Sequence, residues 1–247
     1  MNPTGRFSDR AEDYRRFRPD YPATAISAVL EGMGDPAALF AADVGAGTGI
    51  SARLLADREV RVTAIEPNAE MREAALPHQR VEWRSGTAEE TGLPEESVHL
   101  VLCAQAFHWF RAPEALAELY RVLRPGGRLA LMWNIRDRRD PLTLAYIEAI
   151  QAVNGEHPAE RRVFDPRVVS EGGLFPPPRL LVFPHEQPLD RDGLIGRAAS
   201  ASYVPKEGPA FERLSALLAE LWERHRNGRG LVRMRYVTQV YLSEKPR

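Results

Sequence analysis

AlaAlaAspValGlyAlaGlyThrGly, residues 41–49, stands behind Leu39 and Phe40 and ahead of a helical pattern that starts at Ser51. An apolar strand carrying an acid, Asp43, thus passes through a glycine-rich turn into a helix. That is the local order in which a parallel strand hands the chain to its covering helix and a ligand lies against the turn. Glycines at 45, 47 and 49 permit a tight turn and leave no Cβ between the backbone and such a ligand. A nucleotide-like ligand is the expectation; the alternative is a tight strand-to-helix turn that binds nothing.

Spacing narrows the ligand. The nicotinamide dinucleotide fingerprint needs its third glycine one place later, where this chain has Ile50. No basic residue follows the turn until Arg53, so little here welcomes a pyrophosphate. The next apolar run, 60–65, is followed by Glu66, about twenty residues past Gly45, where a carboxylate can accept hydrogen bonds from two ribose hydroxyls. Two acidic strand ends, Asp43 and Glu66, suit a positively charged ligand better than a pyrophosphate. Alone, Glu66 would read as a solvated strand terminus.

Working outward, short apolar runs at 39–44, 60–65, 80–84, 98–104 and 128–133 alternate with helical stretches at 51–57, 69–75 and 113–123. Such alternation predicts an α/β fold with a mostly parallel, doubly wound sheet. Leu116, Leu119, Tyr120 and Leu123 share a helix face, and ArgProGlyGly at 124–127 ends that helix. The rhythm then breaks: a polar run at 136–140, a helical pattern over 142–153 and three prolines at 176–178 read as an inserted cap. An apolar run at 179–183, a helix with Phe211, Leu214, Leu217, Leu218, Leu221 and Trp222 on one face, and a Val- and Tyr-rich strand over 231–242 complete the chain. The expected organisation is a flap and first helix over 1–36, a ligand-binding core over 37–134, a cap insertion over 135–178, and the rest of the core, with possible cap elements, over 179–247.

Composition excludes several classes. Lys plus Arg is 33 against 34 Asp plus Glu, a net charge of −1, which provides no global field for nucleic acid phosphates or anionic lipid. A hydrophobic fraction of 44% with 27% charged residues fits a folded globular chain of 247 residues rather than disorder. No apolar stretch approaches the roughly 20 residues needed to span a bilayer, and the N-terminus lacks a signal-like apolar core, so a cytoplasmic location is expected. Cys103 is the only cysteine, which excludes an intrachain disulfide and a cysteine-rich zinc site. His185, His225 and the basic run at 224–230 show no metal-ligand spacing and read as surface. No metal is expected.

The glycine turn, IleGluProAsn at 65–68, GlyThrAlaGluGluThrGlyLeuPro at 86–94 and TyrArgValLeuArgProGlyGlyArgLeu at 120–129 stand in order. Together they resemble the class I S-adenosylmethionine-dependent methyltransferases, the small-molecule branch that includes trans-aconitate-type and ubiquinone-biosynthesis-type enzymes. The resemblance is firm over about 14–134. It implies a Rossmann-like sheet of seven strands, the last antiparallel, and S-adenosyl-L-methionine as cofactor, released as S-adenosyl-L-homocysteine. It implies further that Asp43, Gly45, Ala46 and Gly47 line the methionine part, that Glu66 holds the ribose, and that Pro67 lies near the adenine. Where the family usually places an acid on the adenine amino group this chain has Thr87, so recognition shifts toward Ala88 or Glu89. Cys103, Ala104 and Gln105, closing the fourth strand, complete the implied cofactor set. TyrxxxArgProxTyrPro in the front segment resembles the family's flap over the cofactor and places Tyr14 and Arg18 at the site; the competing reading is an amphipathic helix that packs Phe7, Tyr14, Phe17 and Tyr21.

Residues just past a parallel strand's carboxyl end face the ligand, so His108 in GlnAlaPheHisTrpPhe is the candidate catalytic residue, as base or as orienting group. The alternative is a helix-start histidine bonded to backbone. Phe107 and Trp109 read as packing, and Cys103 by residue type as a buried small hydrophobe. Arg136, Arg138 and Arg139 could meet an acidic substrate or face solvent. The expected activity is methyl transfer to a small molecule, with carboxylate or hydroxyl acceptors slightly favoured. An RNA methyltransferase is disfavoured by the balanced charge, and a cofactor-binding regulator without turnover is the rival outside enzymes. Oligomeric state is not legible.

Overall fold

β1 (Phe40–Val44), β2 (Arg61–Ile65), β3 (Val81–Arg84), β4 (Val98–Ala104) and β5 (Leu123–Arg136) pair in parallel, and β7 (Val232–Glu244) runs antiparallel between β5 and β6 (Arg179–Leu189). The sheet order is β3-β2-β1-β4-β5-β7-β6. This is the expected α/β, doubly wound, Rossmann-like arrangement, seen in a computed structural model that describes residues 11–155, 157 and 164–247. Phe7 of the front segment lies outside the described residues, as do 156 and 158–163 of the cap stretch.

The central strands are apolar on both faces because both are covered. Leu100 and Leu102 of β4 face α2 (Ala23–Leu30) and α3 (Ile50–Ala56) through Ile26, Val29 and Leu55. Val101 and Cys103, on the opposite face, pack with Leu116 and Leu119 of α5 (Ala112–Val122). Each fully buried Leu or Ile adds about 1.5–3 kcal/mol of transfer free energy, enough for these two layers to hold the sheet together.

Two elements depart from the sequence expectation. The strand expected at 128–133 runs on to Arg136 because its antiparallel partner pairs along that whole length, from Arg128 with Glu244 to Arg136 with Tyr236. Its register to β4 slips between Val98 and Leu100, so ArgProGlyGly at 124–127 loops out. β6 is likewise longer than 179–183. Pro184 and Pro188 hide it in the sequence, but it is an edge strand, where a missing N–H costs no ladder bond.

A third hydrophobic cluster joins α6 (Pro141–Asn154), α8 (Arg191–Ala199), α9 (Gly208–His225) and the start of β7 through Tyr146, Ile147, Leu194, Leu214, Leu218 and Met234. Since the start of β7 pairs with the carboxyl end of β5, this helical layer stands at the same sheet edge as the glycine turn. α8 escaped the sequence reading because Gly193 and Gly196 weaken its helical pattern. Gly196 is required by packing: a Cβ there would lie 2.4 Å from the ring of Phe17 in α1 (Ala11–Phe17). No helix among the described residues is long and apolar enough to cross a membrane.

Candidate functional site

At the end of β1 the chain turns with positive φ at Gly45, Gly47 and Gly49. Gly45 and Ala46 donate their N–H groups to the Ile65 carbonyl at 2.8 and 3.1 Å, which locks the turn against the end of β2. A Cβ on Gly45 would lie 2.6 Å from the Ala106 Cβ, and one on Gly49 2.7 Å from the Trp83 ring. The first glycine therefore lets the turn pack against the segment that follows β4, and the last seats α3 on β3.

Two carboxylates flank the turn. Asp43 is fully buried; its Oδ2 accepts from Ser51 Oγ at 2.7 Å, while Oδ1 has no partner. Burial pushes its carboxyl up to about 7, against the Ser51 and Ala52 hydrogen bonds that favour the charge. Glu66 accepts from Gly47 N–H at 2.9 Å and from Asn68 N–H at 3.0 Å. Its carboxyl is also raised by burial and held back by those two N–H groups. A carboxylate has about four lone-pair positions, so Glu66 keeps two for a ligand.

Over the turn lies the front segment. Tyr14, Arg18, Tyr21, Ala46, Gln105 and Arg197 are among the residues lining a narrow cleft, partly open to solvent. The segment is held by Asn134 Nδ2, which donates to the Asp20 carbonyl at 2.8 Å, and by Gln187 Nε2, which donates to the Phe17 carbonyl at 3.0 Å. Arg18 places its Cζ 4.6 Å above the Tyr14 ring and donates to the Ser200 carbonyl at 3.0 Å. Desolvation lowers the Arg18 guanidinium to about 10, with a further push from Arg197. A ligand bound at the turn would lie beneath this strap. Hydrogen exchange over 14–21 is therefore expected to slow when S-adenosylhomocysteine is added; equal rates in both states would count against the strap.

At the carboxyl end of β4, Gln105 holds a left-handed φ of 57°, unusual for a side chain with a Cβ. Its N–H donates to the Met132 carbonyl and its Nε2 to the Asn134 carbonyl. A 3-10 turn, Phe107–Trp109, comes next. Phe107 is buried in the α5 layer, as expected of a packing residue, but Trp109 is 37% exposed. Three residues of so tight a turn point in three directions, so only one of them reaches the core. His108 is half-buried, next to Trp109 with ring centroids 4.9 Å apart. Trp133 Nε1 donates to its Nδ1 across a long 3.5 Å contact.

The remaining sequence candidates divide between the cleft, the core and the surface. Ala104 lines the cleft, whereas Cys103 lies wholly inside the sheet, its thiol pushed well up by burial. Pro67, Thr87, Ala88 and Glu89 lie past the ends of β2 and β3, outside that cleft. Thr87 Oγ1 accepts from Glu90 N–H, and Glu89 accepts from Arg111 N–H at 2.8 Å. Arg139 is 83% exposed and pairs with Asp137, whereas Arg136 sets its Cζ 5.0 Å from the Tyr146 ring centroid. His185 is not a surface residue: it is half-buried, tilted over Tyr236, with Nε2 3.2 Å from Asp20. The long β6 carries it inward. Arg197 was missed altogether. Its signal was one arginine inside LeuIleGlyArgAlaAla, a charge in an otherwise small and apolar helix.

Residues 42–131 match the family described as Methyltransferase domain. An uncharacterized methyltransferase-like protein of Schizosaccharomyces pombe is 31% identical over 97% of this chain and 95% of its own. An uncharacterized methyltransferase of Mycobacterium bovis is 45% identical, in a match that spans 54% of each protein, so this chain covers about half that relative's length. Among solved structures, a protein of Anaeromyxobacter dehalogenans provisionally named a type II methyltransferase is 28% identical, with a TM-score of 0.64 over 93% of this chain and 98% of that one. A geranyl diphosphate methyltransferase in complex with S-adenosylmethionine shares the fold at 14% identity, with a TM-score of 0.50 over 90% of this chain and 85% of that one.

Proposed function

Because the chain belongs to the class I S-adenosylmethionine-dependent methyltransferases, we propose that it binds S-adenosylmethionine at the glycine turn and methylates a small-molecule acceptor in the cleft beneath the front strap. The observation that carries the reading is the pair of carboxylates flanking a turn stripped of side chains: Asp43 with an orphaned buried oxygen, and Glu66 with two lone pairs to spare. A cationic amino-acid end beside Asp43 and a ribose on Glu66 would satisfy both.

The cofactor supplies an already activated methyl group on a sulfonium, so the protein's task is chiefly alignment and exclusion of water. Asp43 holds the ammonium of the cofactor's amino-acid end, and Arg18 takes its carboxylate. The Tyr14 ring offers a face to positive charge. Gln105, fixed in its left-handed turn, sets where β4 delivers His108, and His108 orients the acceptor. Ala88 and Glu89 would serve the adenine edge. A cytoplasmic setting fits this metabolite chemistry. A nucleic acid acceptor is disfavoured by the net charge of −1.

Calorimetry tests the reading. S-adenosylhomocysteine is expected to bind more tightly than NAD, and Glu66→Ala to weaken it about tenfold by leaving ribose hydroxyls unpaired. Tighter binding of NAD would overturn the proposal. Cofactor binding without turnover across a metabolite panel would favour a regulator.

A further inference from the structure

The cleft contains a second buried cation beside Arg18. Arg197 is 5% exposed, on the face of α8 turned toward the front strap. It donates from Nε to the Tyr236 hydroxyl at 3.2 Å and lies 3.4 Å from Ser200 Oγ, while Arg18 donates to the carbonyl of the same Ser200. The two guanidiniums are thus held side by side on one residue, and both line the cleft beside the glycine turn. Neither has an ion pair with an acid among the described residues. The groups acting on Arg18 are Arg197 and Arg136, which repel it, and the phenols of Tyr14 and Tyr236. Arg18 Nε, buried, has no partner. Asp20, the acid within the strap, faces His185 instead.

Burying two like charges together is costly unless anions arrive to meet them. With the cofactor bound as proposed, it brings one carboxylate, which Arg18 takes. One buried positive charge then remains in the cleft. We infer that Arg197 is the anchor for the acceptor, and that the acceptor is a small molecule bearing a carboxylate. Tyr236 accepts from Nε and Ser200 Oγ lies against one Nη1 N–H, which leaves both N–H groups of Nη2 and the second of Nη1 for a forked contact, the geometry that distinguishes a carboxylate from a neutral amide. Tyr236 is itself fixed, its hydroxyl donating to Gln187 Oε1 at 3.1 Å, so the anchor stays in place without a ligand. The anchored carboxylate sets the acceptor's orientation, whichever of its atoms takes the methyl group.

This rests on the cofactor reading, and the experiment separates the two. Wild-type protein saturated with S-adenosylhomocysteine is titrated calorimetrically with acetate, succinate and benzoate, and with acetamide, succinamide and benzamide. At least one acid is expected to bind about tenfold or more tightly than its amide. Arg197→Gln should remove most of that preference while leaving S-adenosylhomocysteine affinity within about threefold. Arg197→Lys, which keeps the charge but loses the fork, should retain part of it. Equal binding of every acid and its amide to wild-type protein would overturn the inference even if no Arg197 variant folds. So would a preference that persists in folded Arg197→Gln, or tighter binding of inorganic phosphate than of any acid. Failure of wild-type protein to bind S-adenosylhomocysteine would instead overturn the cofactor reading, and the inference with it.

Discussion

Asp43→Asn is expected to weaken S-adenosylhomocysteine binding by about 100-fold at pH 8 while making the ligand-free protein more stable at that pH. Both effects have one cause. Asp43 is fully buried, one oxygen bonded to Ser51 and the other orphaned, and its carboxyl sits near 7. An unfolded aspartate titrates near 3.9, so the folded state binds this proton more tightly. The stabilisation from that proton is complete below about 3.9 and is lost as pH rises through about 7. Above that pH the ligand-free fold carries an uncompensated buried charge, and the neutral amide removes it for a gain of roughly 1 to 3 kcal/mol. Below about pH 4 the two proteins should be about equally stable.

Ligand affinity takes the opposite course. A cationic amino-acid end favours ionised Asp43, so wild-type affinity should climb with pH and level off above about 7, whereas the Asn variant should show a flat profile. Binding below pH 7 should release a proton, seen as a dependence of the calorimetric enthalpy on the buffer's ionisation heat. Equal affinities at pH 8, or a wild-type profile flat from 5 to 8, would remove Asp43 from the site. Urea unfolding at pH 8 and below about pH 4 checks the stability half independently.

The second large effect is expected at His108. Its replacement by Ala should lower kcat/KM by about 100-fold with little change in S-adenosylhomocysteine affinity, because in the proposed reading His108 acts on the acceptor rather than on the cofactor. The indole N–H of Trp133 can only donate, so its contact makes Nδ1 the acceptor and leaves the ring proton on Nε2. In that tautomer His108 orients an acceptor by donation. His108→Asn, whose amide also donates, should therefore keep kcat within a few-fold of wild type and show the loss mainly in KM. A kcat as low as that of the Ala variant would show that the imidazole removes a proton, since the amide cannot accept one at neutral pH.

The two halves of the site differ in how they could be read beforehand. Asp43, the glycines and Glu66 lie within 24 consecutive residues, and their placement arises from backbone demands that act locally. A turn with positive φ needs glycine, and the two acids stand at the carboxyl ends of β1 and β2, beside that turn. Gln105 and His108 were placed by the same rule, since residues just past the carboxyl end of a parallel strand face the ligand. The left-handed turn at Gln105 was not legible, because no residue type announces it. Trp109 and His185 were misplaced for opposite reasons. A three-residue 3-10 turn cannot bury every aromatic it holds, and an edge strand with two prolines does not look like a strand until its partner is known.

The sequence alone determined the alternation of strand and helix, the glycine turn with its two acids, and the family resemblance they carry. Each depends on periodicity or chain conformation over a few residues, where local sterics and solvent exposure leave few choices. The tertiary structure alone decided which charges meet. Arg18 and Ser200 are 182 positions apart in the chain, and Arg197 joins them only because Phe17 packs on Gly196 and Tyr236 reaches α8 from the far side of the sheet's antiparallel pair. Such contacts are fixed by the closing of the whole chain around its cores, and no short stretch of sequence contains them.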